Sequence, residues 1–453
     1  MRTLSAIAVV TAHVAALAAA QGTTVSTTYN TDIGSYNFDD SAFNYCQANY
    51  PSSSSYKSVA NATLEFIQMV VRHGDRTPVL VVPGQDVTWN CDNYSENIYL
   101  KSSTTSSVSS SALVNQKVEI PAFNGKYGYS NQLWKGTCNV GQLTDTGKSQ
   151  HETLGSQLRS IYVDKLGFLP YWLNNTSQVY VRTTDFWRTK NSAESLLGGL
   201  WPYRGITAEM AVPMYTYPAE IETMDANNDA CPATESTWIK IISDSNYQKF
   251  FQGQSALMSK LAGILNVSGS TWTMVWDGYA DTLFTRKCHN KGFPCNSAGT
   301  VCANADDENQ VKRNANFDWA YKYRDHPLAK TYTRLHIGSF IGTLRDQLQN
   351  FVAGKTGSVK LALYSGHDTT IGPILGSLKA GNRQMLWPPY ASNLIFELWK
   401  KKDGSRVVRV LFNGEVLQLQ EGNQWCDLSA CPLDTFTSYL GDYIPSDIAA
   451  ECN

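Results

Sequence analysis

The stretch Val70-Val71-Arg72-His73-Gly74-Asp75-Arg76-Thr77-Pro78 joins a hydrophobic run to a cluster of charged residues. The run itself, residues 63–71, is rich in β-branched and aliphatic side chains and predicts a buried strand. Residues 178–182 and 359–364 predict two further strands, and polar residues follow each of them. Functional groups collect beyond the carboxyl ends of strands in open α/β sheets. We therefore expect these three strand ends to meet in one crevice.

Helical patterns separate the strands. Apolar residues recur at helical spacing after Thr144, and Thr183, Thr184 and Asp185 are candidate N-caps for a second helix that runs toward residue 197. Residues 393–399 and 406–412 resemble a β-hairpin, whereas strand signals fade over residues 215–325. These patterns predict an α/β domain with a central, mainly parallel sheet flanked by helices. Its two parts are residues 59–214 and 326–453, and a smaller, mostly helical domain is inserted at 215–325.

The composition excludes several protein classes. The chain has 453 residues, 42% of them hydrophobic, which is enough for a sizeable core and argues against disorder. Its 37 basic and 39 acidic residues give a net charge of −2. With no basic field or polybasic run, we expect no nucleic-acid partner and no attraction to an anionic membrane surface.

The first twenty residues predict export. Arg2 precedes an apolar stretch at residues 4–17, and Ala18-Ala19-Ala20 is typical of a signal-peptide cleavage site. No later stretch is apolar for long enough to predict a membrane span. Residues 21–58, rich in Ser, Thr, Tyr and Asn, predict a surface arm. We expect a secreted protein, with the cell wall or a lysosome-like or vacuole-like compartment as further destinations.

Cysteines and glycosylation sequons agree with export. All 10 cysteines lie beyond residue 20, and their even number predicts up to five disulfides, with Cys426 and Cys431 as the best local pair. A zinc site at Cys288, His289, Cys295 and Cys302 is the alternative, which the lack of a paired C-x-x-C disfavours. Candidate N-glycosylation sites are Asn61, Asn93, Asn174, Asn175 and Asn266.

The three predicted strand ends carry arginines, histidines and a carboxylate. Arg72, His73 and Arg76 follow the first, Arg182 ends the second, and His367-Asp368 follows the third. Arginines supply forked, permanently charged donors for phosphate oxygens. A neutral imidazole can attack phosphorus without adding negative charge, and a carboxylic acid can protonate a leaving alkoxide. This set of groups suits the hydrolysis of phosphate monoesters.

The same residues resemble the histidine acid phosphatases, the acid phosphatase and phytase branch of the phosphoglycerate mutase-like fold. The signature R-H-G-x-R-x-P matches residues 72–78, and the later His-Asp matches residues 367–368. The R-[ST]-T-D-x-x-R-T pattern matches residues 182–189. The resemblance implies that His73 is a nucleophile that forms a phosphohistidine and that Asp368 is the proton donor. It further implies that phosphate binds to Arg72, Arg76, Arg182 and His367, with no metal or cofactor.

Several alternatives stay open. A phytase would use the same mechanism. Phytases of this family commonly have Ala at the position of Asp75, which favours a general phosphomonoesterase here. Asp75 itself is expected to stabilise a turn, and Arg188 is expected to form a structural ion pair. His289, His326 and His336 show no functional pattern. A phosphate-transferring mutase and a catalytically silent secreted glycoprotein are the less favoured readings.

Overall fold

The structure is a computed structural model that describes residues 43–82, 87–91, 95–100, 111–116, 133–202 and 212–453. The expected signal peptide, the first part of the expected arm and Asn93 lie outside these residues. The strands are β1 (Ala62–Arg72), β2 (Ser95–Leu100), β3 (Ser111–Gln116), β4 (Val179–Thr183), β5 (Met214–Thr216), β6 (Leu361–Gly366), β7 (Asn393–Lys401), β8 (Arg406–Phe412), β9 (Glu415–Val416) and β10 (Cys431–Pro432).

The helices of the described residues lie between or after these strands, and seven of them follow one another between β5 and β6. They are α1 (Asp145–Arg159), α2 (Trp187–Leu200), α3 (Pro232–Ile242), α4 (Ser245–Gly253), α5 (Ser255–Leu265), α6 (Ser270–Thr273), α7 (Asp277–Cys288), α8 (Ala305–Ala320), α9 (Ala329–Val352), α10 (Asp368–Ser377), α11 (Leu433–Gly441) and α12 (Ile448–Glu451). Residues 215–325 contain six of them, α3 to α8, in agreement with the helical character predicted there.

A mixed sheet in the order β10-β8-β7-β1-β6-β4-β5 forms the centre, with β9 beside β8. Strands β1, β6, β4 and β5 are parallel, and β7 and β8 form the predicted antiparallel hairpin. Arg72 pairs with Gly366, and Ser365 pairs with Thr183. The carboxyl ends of β1, β6 and β4 therefore lie side by side at one edge of the sheet.

Successive side chains of β1 point to opposite faces of the sheet, and both faces are buried. Ile67, Met69 and Val71 face the helix pair α1 and α2, where Leu154 and Leu196 complete the core. The intervening residues, such as Phe66 and Val70, face α9, α10 and the helices of residues 215–325. A near-continuous apolar strand is what a sheet covered on both sides requires. The α/β class predicted from the sequence is therefore confirmed.

A buried carboxylate ties the hairpin to the N-terminal residues. Glu397 on β7 is fully buried and accepts hydrogen bonds from the hydroxyls of Tyr56 and Tyr162, at 2.7 and 2.6 Å. Trp399 Nε1 and Arg409 Nε donate to its other oxygen, at 2.9 and 2.6 Å. Arg409 also donates to the carbonyl of Lys57. Both carboxylate oxygens are thus satisfied, as a buried charge requires.

Five disulfides connect the ten cysteines: Cys46–Cys288, Cys91–Cys138, Cys231–Cys452, Cys295–Cys302 and Cys426–Cys431. The last is the pair predicted from the sequence. The zinc alternative is not supported, because the three cysteines that it needs are all disulfide-bonded. Among the described residues, no helix combines the length and the hydropathy that crossing a membrane would need.

Candidate active site

Two glycines set the path of the segment after β1. A side chain at Gly74 would place its Cβ 2.3 Å from the carbonyl oxygen of Gly147, in the first turn of α1. Thr144 begins this helix, because its side chain accepts from the backbone N–H of Gly147. The close approach of Gly74 to α1 turns residues 72–76 across the end of the sheet. The motif therefore requires glycine at this position.

Arg72 lies at the base of the site with no exposed surface. Its Nη1 donates to the carbonyl of Pro388 at 2.5 Å, and its Nη2 donates to the Tyr45 hydroxyl at 2.8 Å. The same Nη2 lies 2.7 Å from Oδ2 of Asp368. The guanidinium also packs 4.5 Å from the ring centre of Tyr390. These contacts hold a permanent positive charge where the three strand ends meet.

His73 is buried and held by one hydrogen bond. Its Nδ1 lies 2.8 Å from the carbonyl oxygen of Gly74, which can only accept, so Nδ1 carries the proton. In the neutral ring, the lone pair is therefore on Nε2. Burial, together with the charges of Arg188, Arg72 and Arg76, lowers the pKa of His73 well below its usual value. The neutral form of the imidazole is therefore favoured.

His367 faces His73 from the end of β6, with 5.7 Å between the ring centres. Its Nε2 lies 2.9 Å from the Thr184 hydroxyl, and the ring of Phe186 packs edge-on against it. Burial and the charge of Arg188 lower the pKa of His367 well below its usual value. Two neutral imidazoles therefore stand among several guanidiniums.

Asp368 opens helix α10 directly after His367. Besides its ion pair with Arg72, its Oδ2 accepts from Trp387 Nε1 at 2.8 Å, and its Oδ1 accepts from the backbone N–H of Thr369 at 2.9 Å. Burial alone would raise the pKa of Asp368, but Arg72 and Trp387 outweigh burial and lower it. Without substrate, this carboxyl group is therefore ionised.

Arg76 is anchored by the helical residues 215–325. Its Nη1 donates to Oδ1 of Asp281 on α7 at 2.7 Å. Oδ2 of Asp281 accepts from the backbone N–H groups of Val79 and Leu80, at 2.8 and 3.2 Å. The side chain of Asp281 thus fixes both Arg76 and the loop that follows the motif.

The structure does not join Arg182 to this cluster as the sequence had led us to expect. Arg182 Nη2 donates instead to Oε1 of Glu222 at 2.6 Å, and the ring of Tyr217 stacks on its guanidinium at 3.5 Å. Arg188, six residues later in the first turn of α2, is the arginine whose charge acts most strongly on both His73 and His367. Burial and the charge of Arg76 lower the pKa of Arg188 to about 10, so it stays charged at acid and neutral pH.

The two arginines of this sequence pattern differ in their surroundings. The R-T-T-D-x-x-R pattern contains both arginines, and the preference for Arg182 rested on its position at a strand end. Alternation along β4 directs Arg182 toward Phe340 of α9, 5.9 Å from the guanidinium, whereas Val181 packs on the opposite face. The arginine with the strongest electrostatic effect on both histidines comes from the helix that follows the strand.

Asp75 is buried and has partners of its own. Its Oδ1 accepts from the Thr144 hydroxyl at 2.5 Å and lies 2.7 Å from Nε2 of His289. The carboxylate therefore braces the start of α1, and His289 is its partner rather than an isolated histidine.

A second carboxylate, not anticipated from the sequence, lies beside His367. Oδ2 of Asp225 is 3.9 Å from His367 Nε2. Oδ1 of Asp225 accepts from the Thr369 hydroxyl at 2.7 Å and from the backbone N–H of Ala226 at 2.9 Å. Burial raises the pKa of Asp225 to about 6. No local pattern in the sequence singles out this residue.

Comparison with known proteins identifies the family. Residues 63–413 match the histidine phosphatase superfamily (branch 2). The chain belongs to this superfamily. It is 30% identical over 420 residues to counting factor 60 of Dictyostelium discoideum, covering 90% of this chain and 92% of that one. It is 28% identical over 403 residues to the lysosomal acid phosphatase of Xenopus laevis, covering 86% and 78%.

Solved structures share the fold of this chain. The phytase of Hafnia alvei in complex with tartrate superposes with a TM-score of 0.56 at 14% identity, covering 86% of this chain and 99% of that chain. The phytase of Citrobacter braakii gives a TM-score of 0.53 at 15% identity, with the same coverage of 86% and 99%. At this level of identity, the likeness establishes the fold alone.

Proposed function

We propose that this protein is an exported acid phosphatase that hydrolyses phosphate monoesters through a phosphohistidine on His73. The proposal rests on the orientation and the protonation of the His73 ring. Its Nδ1 is bound to the Gly74 carbonyl, and burial with three neighbouring guanidiniums keeps the ring neutral. A neutral, oriented imidazole within a cationic pocket is suited to attack the phosphorus of a bound phosphate.

In the first step, Nε2 of His73 attacks phosphorus while the bond to the leaving oxygen breaks. Arg72, Arg76 and Arg188 neutralise the charge of the phosphate oxygens, and the neutral His367 ring donates a hydrogen bond to one of them. This assignment replaces Arg182 with Arg188, since Arg188 is the arginine that acts on both histidines whereas Arg182 is paired with Glu222. Charge neutralisation supplies a large share of catalysis in phosphoryl transfer.

Asp368 donates the proton that the leaving alkoxide needs. In the free enzyme the pKa of Asp368 is held down by its contact with Arg72. An entering phosphate shares Arg72 with Asp368 and repels the carboxylate, and both effects raise the pKa of this carboxyl group in the complex. Water then attacks the phosphohistidine, and its proton returns to Asp368.

The substrate class that we favour is the simple phosphate monoester, with phytate as the alternative. Two curated relatives covering most of the chain, from Xenopus laevis and Homo sapiens, are named acid phosphatases, whereas the phytases support only the fold. Hydrolysis of p-nitrophenyl phosphate, glycerol 2-phosphate and phytate at pH 5 with EDTA tests this choice. We expect kcat/KM for the monoesters to exceed that for phytate; the reverse order would favour the phytase.

The silent glycoprotein remains the rival from another class. Folded protein that hydrolyses none of the three esters would support it. For export, five disulfides agree with an oxidising compartment. Asn61, Asn174, Asn175 and Asn266 are exposed, as N-glycan acceptors must be. Glycosidase treatment followed by mass spectrometry would identify the occupied sites.

A further inference from the structure

Residues 222–225, which precede α3, are hydrogen-bonded to both β4 and α10. Oε1 of Glu222 accepts from Arg182 and also from the backbone N–H groups of Thr223 and Met224, at 2.7 and 2.6 Å. On the other side, the Thr370 hydroxyl donates to the carbonyl of Met224 at 2.5 Å. Residues 222–225 are therefore held between β4 and the first turn of α10.

This fastening presents Asp225 to the histidine cluster. One of its oxygens is fully used by Thr369 and the backbone of Ala226, so the other, Oδ2, is the one that faces His367 at 3.9 Å. Thr369 also donates its backbone N–H to Asp368. Thr369 thus donates a hydrogen bond to each of the two carboxylates of the site.

We propose, on the basis of the phosphatase function proposed above, that Asp225 gates the site by charge. When ionised, its carboxylate competes with the substrate phosphate for His367 and Arg188, and the protonated form is the one that admits substrate. A carboxylate so close to a phosphate-binding imidazole repels an entering anion unless it carries a proton.

The other charges around Asp225 agree with this role. Arg188 from α2 favours its ionised form, and Asp368 from α10 disfavours it. Tyr323 lies just before α9 and Tyr332 lies within it. The charge of Asp225 contributes to raising the pKa of both tyrosines. Burial is the largest influence and raises the pKa of Asp225 to about 6. The gate consequently opens as the pH falls through about 6.

Binding of inorganic phosphate to Asp225→Asn and to wild type, measured by calorimetry at pH 4.5 and 7.5, tests the gate. The ratio of the two dissociation constants at each pH cancels the titration of phosphate itself. We expect the variant to bind at least about tenfold more tightly than wild type at pH 7.5, and within about twofold at pH 4.5. Asp346→Asn, which removes an exposed carboxylate paired with Arg345, should leave both ratios near one.

An equal ratio at the two pH values, or weaker binding by the variant, would overturn the gate. Thr369→Val provides a second test if Asp225→Asn does not fold. The hydrogen bond from the Thr369 hydroxyl lowers the pKa of Asp225, so the variant should have a higher Asp225 pKa and a midpoint of phosphate binding at higher pH. An unmoved midpoint would also overturn the gate. Because calorimetry needs no turnover, phosphate binding without hydrolysis would count against the proposed function alone.

Discussion

Arg182 donates from Nη2 to Oε1 of Glu222 at 2.6 Å, which ties strand β4 to the segment that leads into α3. Both side chains are largely buried, with 1% and 9% of their surface exposed. This arginine at the end of a strand thus has a partner of opposite charge. The structure thereby separates two arginines that a single sequence pattern contains.

The two arginines should respond differently to substitution. Arg188→Ala should lower kcat/KM for p-nitrophenyl phosphate at pH 5 by about 10²–10³-fold, because it removes a charge from the phosphate site. Arg182→Met should keep kcat at pH 5 within about tenfold, yet lower the free energy of unfolding by about 3–5 kcal/mol, because Glu222 is left buried without its partner. Steady-state kinetics and urea unfolding would measure both. A larger kinetic loss in Arg182→Met than in Arg188→Ala would indicate that Arg182 binds the phosphate.

Asp368→Asn should discriminate between leaving groups. p-Nitrophenolate leaves without a proton, whereas the alkoxide of glycerol 2-phosphate needs one, so the loss in kcat should be larger for glycerol 2-phosphate by about 10²-fold or more. Parallel kcat measurements on the two esters at pH 5 provide the test. Equal losses would remove the proton-donor role from Asp368.

His151 should make stability depend on pH. Its Nε2 donates to the Arg72 carbonyl at 3.0 Å, and burial lowers its pKa to about 4. Between about pH 6.5 and 4, the unfolded chain binds a proton here that the folded chain does not, so stability falls as the pH falls. His151→Gln removes this titration, and its unfolding free energy should fall less than that of wild type from pH 7 to 4. If urea unfolding gave the same change in unfolding free energy from pH 7 to 4 for wild type and variant, the pH dependence could not be assigned to His151.

Glu397 should contribute strongly to the stability of the folded protein. Glu397→Gln weakens the buried ion pair with Arg409 and disturbs the hydrogen bonds from Tyr56 and Tyr162, which should cost about 3–5 kcal/mol. Glu65→Gln is the matched control, because the Glu65–Arg406 pair on the same sheet is partly exposed. Its loss should cost no more than about 1 kcal/mol. Similar losses in the two variants, measured by urea unfolding, would refute the distinction.

Periodic segments could be predicted well from the sequence. The strands expected at residues 63–71, 178–182 and 359–364 correspond to β1, β4 and β6, and the hairpin corresponds to β7 and β8. The N-cap expected among Thr183, Thr184 and Asp185 was wrong, since α2 begins after Phe186 with no side-chain cap. Thr184 contacts His367 instead, and Asp185 pairs with Lys190. Tertiary contacts outweighed the local preference.

Long-range relationships could not be predicted. Cys426 and Cys431 are five residues apart and were paired from the sequence, but the partners of Cys46 and Cys231 lie 242 and 221 residues away. Asp225 is in a segment without periodicity, and only the fold brings it to His367. The side chains of Arg182 and Arg188 have different surroundings in the fold, and the motif alone does not specify side-chain direction.

Trapping of the phosphoenzyme tests the central claim most directly. Wild type and His73→Ala would each be mixed with ³²P-labelled substrate at pH 5 in EDTA and quenched within milliseconds into alkaline detergent. We predict label on wild type that is stable to base and lost in acid, none on the variant, and a fall in turnover of at least about 10⁴-fold. Turnover by wild type without such label, or equal labelling of His73→Ala, would contradict the phosphohistidine mechanism.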